Sequence, residues 1–211
     1  MKVGTDGVLL GAWAGVRPSD RRILDVGTGT GLIALMMAQR APEARITGVD
    51  VEEVSQAREN AAASPWGGRV VFEQCPVQEF APDEHFDLIV SNPPFFVDSL
   101  TCPDEGRTTA RHAVRLLAAE GRFAVILPTD EARRFVDICR GFLAQTRSTG
   151  VRTTPRRPVK RLLMEFVHEN ACSGLRSDSP PVCSELVVGT GEHEQYTPEY
   201  RALTRDFYLK F

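Results

Sequence analysis

A glycine-rich loop between a predicted strand and a predicted helix constrains the fold of this chain more than any other feature. Residues 23–26 form a short apolar segment that contains Asp25, the loop carries Gly27, Gly29 and Gly31, and residues 32–38 have the apolar spacing of a helix. Glycines permit a tight turn in which the backbone approaches a ligand, and the helix that follows offers free N–H groups. This order predicts a ligand-binding turn in an α/β fold.

A second acidic residue indicates what kind of ligand the loop receives. The loop is not the dinucleotide-binding fingerprint, because G-x-G-x-x-G would require glycine where the chain has Leu32. A second strand, predicted at residues 45–49, leads into Asp50. A carboxylate placed about 20 residues after such glycines can accept hydrogen bonds from ribose hydroxyls.

The segment Ser91-Asn92-Pro93-Pro94-Phe95-Phe96 follows another predicted strand, at residues 86–90. Two prolines end the ladder hydrogen bonding, and a residue before proline is driven to an extended or turn conformation. The resulting stiff loop offers an amide oxygen, a free carbonyl and an aromatic face. That set suits an exocyclic amine or a carboxamide, although a plain proline turn with both phenylalanines in the core is the alternative.

The ends of the predicted strands bring these features together. A further strand is predicted at residues 70–72, followed by Pro76 and Val77. In an open parallel sheet the carboxyl ends of the strands share one edge, and ligands bind in the crevice there. The glycine loop, Asp50, Val77 and Asn92 are therefore expected to form one site.

The composition limits the class of protein. The chain has 211 residues, 42% of them hydrophobic and 25% charged, which fits one globular α/β domain spanning residues 1–211. Its apolar runs are too short for a membrane helix, and its five cysteines lack a C-x-x-C pair, which fits a reducing cytoplasm. We expect a cytoplasmic monomer without a metal site. We also expect residues to be absent before Met1 and near His112.

Basic residues lie in two places although the net charge is -3. Arg107 and Arg111 belong to a polar stretch at residues 97–112 that is predicted to be a mobile loop over the site. The densest cluster lies between two late strands and consists of Arg152, Arg156, Arg157, Lys160 and Arg161. These residues either contact phosphates of RNA or form an ordinary solvated loop.

The remaining pattern completes an α/β fold. Thr5 or Asp6 is predicted to cap a short apolar helix that ends near Trp13. Alternatively, Lys2, Thr5 and Asp6 could face a ligand. A helix at residues 130–143 is predicted to turn Phe135, Ile138 and Phe142 inward. Other predicted elements are a short helical stretch at 113–119, strands at 121–127, 146–153 and 162–167, an edge strand at 185–188, and a last helix capped by Thr197.

Taken together, the motifs resemble the bacterial tRNA1(Val) adenine-37 N6-methyltransferase family, within the Asn-Pro-Pro-Tyr/Phe amino-methyltransferases. The pieces that carry the resemblance span nearly the whole chain: residues 1–7, 9–13, 25–31, 64–66, 91–95, 110–112, 196–197 and 207–209. The beginning and the end are the specific pieces, whereas the glycine and Asn-Pro-Pro motifs mark the wider superfamily. The chain departs from the family at Pro76, where an acid is common.

The resemblance implies a Rossmann-like class I methyltransferase: a mostly parallel seven-stranded sheet with helices on both faces. It implies S-adenosylmethionine as cofactor and tRNA as partner. The residues expected to bind the cofactor are Lys2, Thr5, Asp25, Gly27, Thr28, Gly29, Gly31, Asp50, Val51 and Val77. The residues expected at the target base are Asn92, Pro93, Pro94 and Phe95, and those expected at RNA are Arg107, Arg111, Arg156, Arg157 and Lys160.

Two other functions remain open from the residues. A carboxamide offers the same two N–H donors as an adenine amine, so a protein glutamine N5-methyltransferase would need the same Asn-Pro-Pro loop. A cofactor-binding or RNA-binding module without catalysis is the third possibility, and the intact Asn-Pro-Pro-Phe sequence argues against it.

Overall fold

The computed structural model describes residues 4–93, 103–169, 180–193 and 195–208, with the backbone alone for residues 103–109. The strands in these ranges are β1 (Arg22–Val26), β2 (Arg45–Asp50), β3 (Val70–Gln74), β4 (Phe86–Ser91), β5 (Leu117–Pro128), β6 (Leu143–Arg152), β7 (Arg161–His168) and β8 (Val182–Val187). The α-helices are α1 (Thr5–Trp13), α2 (Leu32–Arg40), α3 (Ser55–Ala62), α4 (Pro103–Leu116), α5 (Thr129–Cys139) and α6 (Pro198–Thr204).

The strands form one sheet in the order β3-β2-β1-β4-β5-β7-β6-β8. All neighbours pair in parallel except β7, which is antiparallel to β5 and to β6. The predicted Rossmann-like α/β fold is therefore confirmed, but the number of seven strands is wrong. The eighth is β8, which adds in parallel to the outer side of β6, from Arg147↔Val182 to Arg152↔Val187.

Alternate residues of the central strands enter two cores on opposite faces of the sheet. In β1, Ile23 packs with α1, α2 and α3, whereas its neighbour Leu24 packs with α4 and α5. Both side chains are fully buried. Helices therefore cover both faces, as predicted, and the edge at the carboxyl ends of the parallel strands is left for the loops.

The crossover between β4 and β5 differs from its prediction. Residues 103–116 form the single helix α4, and β5 begins directly afterwards at Leu117. The prediction of a mobile loop is wrong for residues 103–112. The helix predicted at 113–119 is confirmed only as far as Leu116, where α4 ends, and residues 117–119 belong to β5. The early start of β5 arises from a shift in its pairing with β4, since Phe86 faces Leu117 while Leu88 already faces Arg122.

Helix α5 ends earlier than its apolar pattern suggests. Its last residue is Cys139, and Gly141 then adopts a φ of +85°, which turns the chain toward β6. Phe135 is buried as predicted, but Phe142 lies beyond the helix and is 39% exposed. The inward orientation predicted for Phe142 is therefore wrong.

The two terminal helices are attached to the sheet by specific contacts. Trp13 at the end of α1 donates from Nε1 to Thr149 Oγ1 (2.9 Å), and the guanidinium of Arg147 lies 3.7 Å from the centre of the Trp13 ring.

Gly4, not Thr5 or Asp6, precedes α1 as its N-cap, and no side chain caps it. At α6 the predicted cap is confirmed, because Thr197 Oγ1 accepts a bond from the N–H of Tyr200.

A buried ion pair joins the turn before β1 to strand β5. Arg122 Nη2 lies 2.6 Å from Asp20 Oδ2, and both side chains are almost fully buried. Arg122 also donates to the carbonyl of Gly15 (2.8 Å), and the same Asp20 oxygen accepts from the N–H of Arg17 (2.7 Å). Removing either partner would leave a buried charge without compensation.

We expect Asp20→Ala to lower the free energy of unfolding by about 3–5 kcal/mol, because the Arg122 guanidinium stays buried without its carboxylate. Urea denaturation measures the loss. The control is Asp137→Ala, which removes the carboxylate from the exposed pair with Arg140 and should cost less than about 1 kcal/mol. Similar small losses in both variants would show that the buried pair is not needed.

Candidate active site

The loops predicted to form a site do lie at one edge of the sheet. Val26 at the end of β1 is in register with Val49 of β2 and with Ser91 of β4. The β6–β7 connection reaches the same edge, because Arg161 at the start of β7 is in register with Pro128, the last residue of β5. The predicted cofactor, target and basic segments therefore lie along one edge of the sheet.

The glycine loop has a backbone that only glycine adopts easily. Gly27, Gly29 and Gly31 have φ values of +74°, +53° and +79°, all in the left-handed region. A Cβ added at Gly27 would meet no atom of the described residues within 4 Å, so this glycine borders open space. At Gly31 an added Cβ would lie 2.7 Å from the Phe72 ring, so that glycine serves the packing of α2.

A buried hydrogen bond between Asp25 and Thr28 connects the end of β1 to this loop. One Asp25 oxygen, Oδ2, accepts from Thr28 Oγ1 (2.7 Å) and from the N–H of Ala34 (3.1 Å). The other, Oδ1, is buried without a hydrogen-bond partner among the described residues. Complete burial raises the pKa of Asp25 to about 6, with a smaller contribution from the charge of Asp50. Asp25 therefore holds Thr28 and the N–H of Ala34 in place through Oδ2, while its Oδ1 can still accept a hydrogen bond.

Asp50 connects the second strand to the loop. Its Oδ2 accepts from the N–H of Gly29 (2.8 Å), and its Oδ1 accepts from the N–H of Glu52 (3.0 Å). A carboxylate oxygen has capacity for a second bond, so Asp50 can still receive hydroxyl donors. Val51, the next residue, is 61% exposed and forms an apolar surface beside that carboxylate.

The end of β4 is joined to the glycine loop. Ser91 Oγ donates to the carbonyl of Val26 (2.9 Å). Asn92 follows and is half-buried, and its Oδ1 is buried without a hydrogen-bond partner in the described part of the chain. A buried carbonyl oxygen without a donor costs free energy that a ligand N–H would recover. Pro93 is half-buried, while Pro94 and Phe95 lie outside the described residues.

A small cavity of about 110 Å³ lies between these segments and α4. Its walls include Gly27, Val77, Ser91, Pro93 and His112. No role is predicted for His112 from the sequence. The only pointer to it is its place in residues 110–112, one of the pieces that carry the family resemblance. The structure brings this histidine to the cofactor and target segments.

The basic cluster divides into paired and free residues. Arg152 forms two bonds of 2.9 Å with the Glu185 carboxylate, and Arg161 Nε lies 2.8 Å from Asp6 Oδ2. Three further residues of the β6–β7 loop are exposed and have no ion-pair partner in the ranges described: Arg156, Arg157 and Lys160.

The other predicted contacts are placed only in part. The Asp6–Arg161 pair brings the start of α1 to this edge of the sheet, and Thr5 is exposed beside it. Arg111 is exposed on α4. Lys2 and the side chain of Arg107 lie outside what the structure describes.

Two general findings concern the part of the chain that the structure describes. It has no cluster of three or more His, Cys, Asp or Glu residues arranged to hold a metal ion. None of its helices is both long enough and apolar enough to cross a bilayer.

Comparison with known proteins agrees with this geometry. The family model of the methyltransferase small domain matches residues 9–142. The tRNA1(Val) (adenine(37)-N6)-methyltransferase of Bacteroides thetaiotaomicron is 43% identical, over 99% of this chain and 91% of that protein. The protein of the same name from Phocaeicola vulgatus is 46% identical, over 99% and 91%. The Bacteroides match extends over 226 positions, so that relative has residues that this chain of 211 lacks.

Solved structures share the fold at low identity. A predicted O-methyltransferase from Agrobacterium tumefaciens has a TM-score of 0.72 at 20% identity, over 95% of this chain and 96% of that one. An N1-methyltransferase of 1,6-didemethyltoxoflavin from Burkholderia thailandensis has a TM-score of 0.59 at 23% identity, over 77% and 76%.

The family model covers most of the chain and the named relatives are similar over nearly all of it. This protein is therefore a methyltransferase that belongs to the methyltransferase small domain family and to the tRNA1(Val) (adenine(37)-N6)-methyltransferase family.

Proposed function

We propose that this protein transfers a methyl group from S-adenosylmethionine to the N6 amine of adenosine 37 in tRNA1(Val). The observation that carries the proposal is the buried Oδ1 of Asn92, which has no donor among the described residues and lies at the end of β4 beside the glycine loop. The names of the relatives supply the nucleotide and the tRNA.

The residues at the edge of the sheet fit this cofactor. The open space beside Gly27 lets a ligand contact the backbone, and Asp50 retains acceptor capacity for ribose hydroxyls. The exposed Val51 and the half-buried Val77 offer apolar contact to a flat ring. When bound, S-adenosylmethionine supplies an activated methyl group, so the protein has to position the two partners.

Asn92 and Pro93 are proposed to orient the amine that receives the methyl group. Asn92 Oδ1 accepts one N–H of the adenine amine, and the carbonyl of Pro93 accepts the other. These two bonds direct the nitrogen lone pair toward the methyl group and strengthen as the nitrogen becomes tetrahedral. A proton leaves the nitrogen after transfer, so the step requires no general base with a shifted pKa.

The basic loop is proposed to hold the RNA. A base in an anticodon loop has to leave its stack before it can enter the pocket. The basic loop lies on the same edge of the sheet as Asn92 and exposes Arg156, Arg157 and Lys160. These side chains can contact phosphates of the tRNA anticodon loop. This local positive charge favours RNA over a protein glutamine as substrate. The proposal takes the enzyme to be a single-domain, metal-independent cytoplasmic monomer.

The proposal predicts N6-methyladenosine in a tRNA1(Val) transcript incubated with the enzyme and S-adenosylmethionine. Nucleoside analysis after digestion measures the product. A transcript with guanosine at position 37 is the control and should receive no methyl group. Label that enters a protein glutamine while the transcript stays unmodified would contradict the proposal.

Asn92→Ala should lower kcat by about 10²–10³, because the bonds to the amine act mainly in the transition state. The affinity for S-adenosylhomocysteine, measured by calorimetry, should change less than about twofold, since Asn92 is assigned to the target and not to the cofactor. Parallel losses in kcat and in cofactor affinity would refute this assignment.

Replacing Arg156 and Arg157 together by alanine should raise the KM for tRNA about tenfold. A plot of the logarithm of the tRNA binding constant against the logarithm of the salt concentration should become shallower, by about one unit of slope per lost phosphate contact. The kcat at saturating tRNA should stay unchanged. The matched control is the double alanine variant of Arg133 and Arg134, which are also adjacent and exposed but lie on α5. If both double variants behave alike, the β6–β7 loop is ordinary surface.

A further inference from the structure

The cavity beside the glycine loop contains a polar group that the proposed mechanism does not use. His112 lies on α4 and lines this cavity together with Gly27 and Val77. Its Nδ1 atom is buried and has no hydrogen-bond partner within the described residues. A buried nitrogen without a partner has lost its hydrogen bond to water without a replacement, which costs free energy. A ligand that supplies the missing bond would recover part of that cost.

Helix α4 holds His112 in a fixed position relative to the cofactor segments. Ala113 and Leu116, on the same helix, are buried in the core beneath the sheet. Arg115 Nη2 donates to the carbonyl of Val77 (2.9 Å), which ties α4 to the connection after β3. The imidazole therefore belongs to the part of the site where β1 and β3 end.

The imidazole is suited to accept a hydrogen bond. Partial burial, and then the positive charge of Arg115, lower the pKa of His112 below its usual value. The ring is therefore neutral at pH 7, and in the tautomer with the proton on Nε2 the Nδ1 atom is an acceptor. The missing partner is then a hydrogen-bond donor, and the N–H of a ligand amine can supply it.

We infer that His112 Nδ1 accepts a hydrogen bond from the amine of the cofactor's adenine. Gly27 and Val77, which share the cavity with His112, are both cofactor positions in the proposed function, on which this inference rests. Pro76 lies at the end of β3 and has neither a polar side chain nor an N–H to offer. His112 would recognise the purine amine in place of an acid at Pro76, and most of the other residues that line the cavity are apolar.

The test is a comparison of two ligands without any RNA. One ligand is S-adenosylhomocysteine, and the other is its purine analogue, which lacks the 6-amino group. By calorimetry, the wild-type protein should bind S-adenosylhomocysteine about tenfold more tightly, the effect of one satisfied buried hydrogen bond. His112→Phe keeps a ring but removes the acceptor, so it should weaken S-adenosylhomocysteine binding about tenfold and abolish the preference.

Two further variants separate a specific contact from a structural effect. His112→Asn retains an acceptor close to the position of Nδ1 and should preserve the preference for the amine. His85→Phe changes an exposed histidine just before β4 and should bind both ligands like the wild type. A preference that persists in His112→Phe, with or without a uniform loss of affinity, would overturn the inference.

The outcome is independent of the RNA substrate. If no tRNA is methylated while the amine preference depends on His112, the proposed substrate fails and the cofactor contact stands. If tRNA is methylated and His112→Phe keeps the preference, the contact fails and the proposed function stands.

Discussion

The parallel pairing of β1 with β2 and β4 is the constraint on which the rest of the site depends. Ile23 and Leu24 are completely buried on opposite faces, so a slip of one residue would exchange the two cores. The register places Val26 beside Val49 and Ser91. The N–H groups of Gly27 and Thr28 then donate to the carbonyl of Val49, at 2.9 and 3.1 Å. The start of the glycine loop thus extends the hydrogen bonding of the sheet, which fixes its position relative to β2.

Neighbouring loops at the carboxyl edge of the parallel strands have three different roles in the proposed function. Under that proposal, the ends of β1 and β2 give space and acceptors to the cofactor, and the end of β4 gives Asn92 to the target base. The β6–β7 loop provides the exposed cations. Glu185 and Asp6 pair with Arg152 and Arg161, whereas Arg156, Arg157 and Lys160 have no ion-pair partner within the described ranges. A chain with a net charge of -3 can therefore present a positive surface where the proposed RNA would lie.

Local patterns in the sequence predict the central part of the fold and the position of the site. The glycine loop, Asp50 and Asn92 each follow a short apolar run, and parallel topology then places them together. Prediction fails where tertiary contacts decide. The edge strand predicted at residues 185–188 is confirmed as β8 at the edge of the sheet, but it begins earlier, at Val182, which is 68% exposed. The boundary between α4 and β5 falls inside one apolar stretch and depends on the pairing of Leu117 with Phe86. The burial of His112 Nδ1, away from any hydrogen-bond partner among the described residues, is encoded by no local pattern.

The central claim is that the fold leaves the Asn92 amide oxygen free for the amine that is methylated. A structure of the enzyme with S-adenosylhomocysteine and the anticodon stem-loop of tRNA1(Val) tests it most directly, through the distance between Asn92 Oδ1 and N6 of adenosine 37. The account predicts a flipped-out base with that distance near the hydrogen-bond range of about 2.7–3.2 Å. A base that stays stacked in the loop, or an N6 held by other groups while Asn92 remains unpartnered, would contradict it.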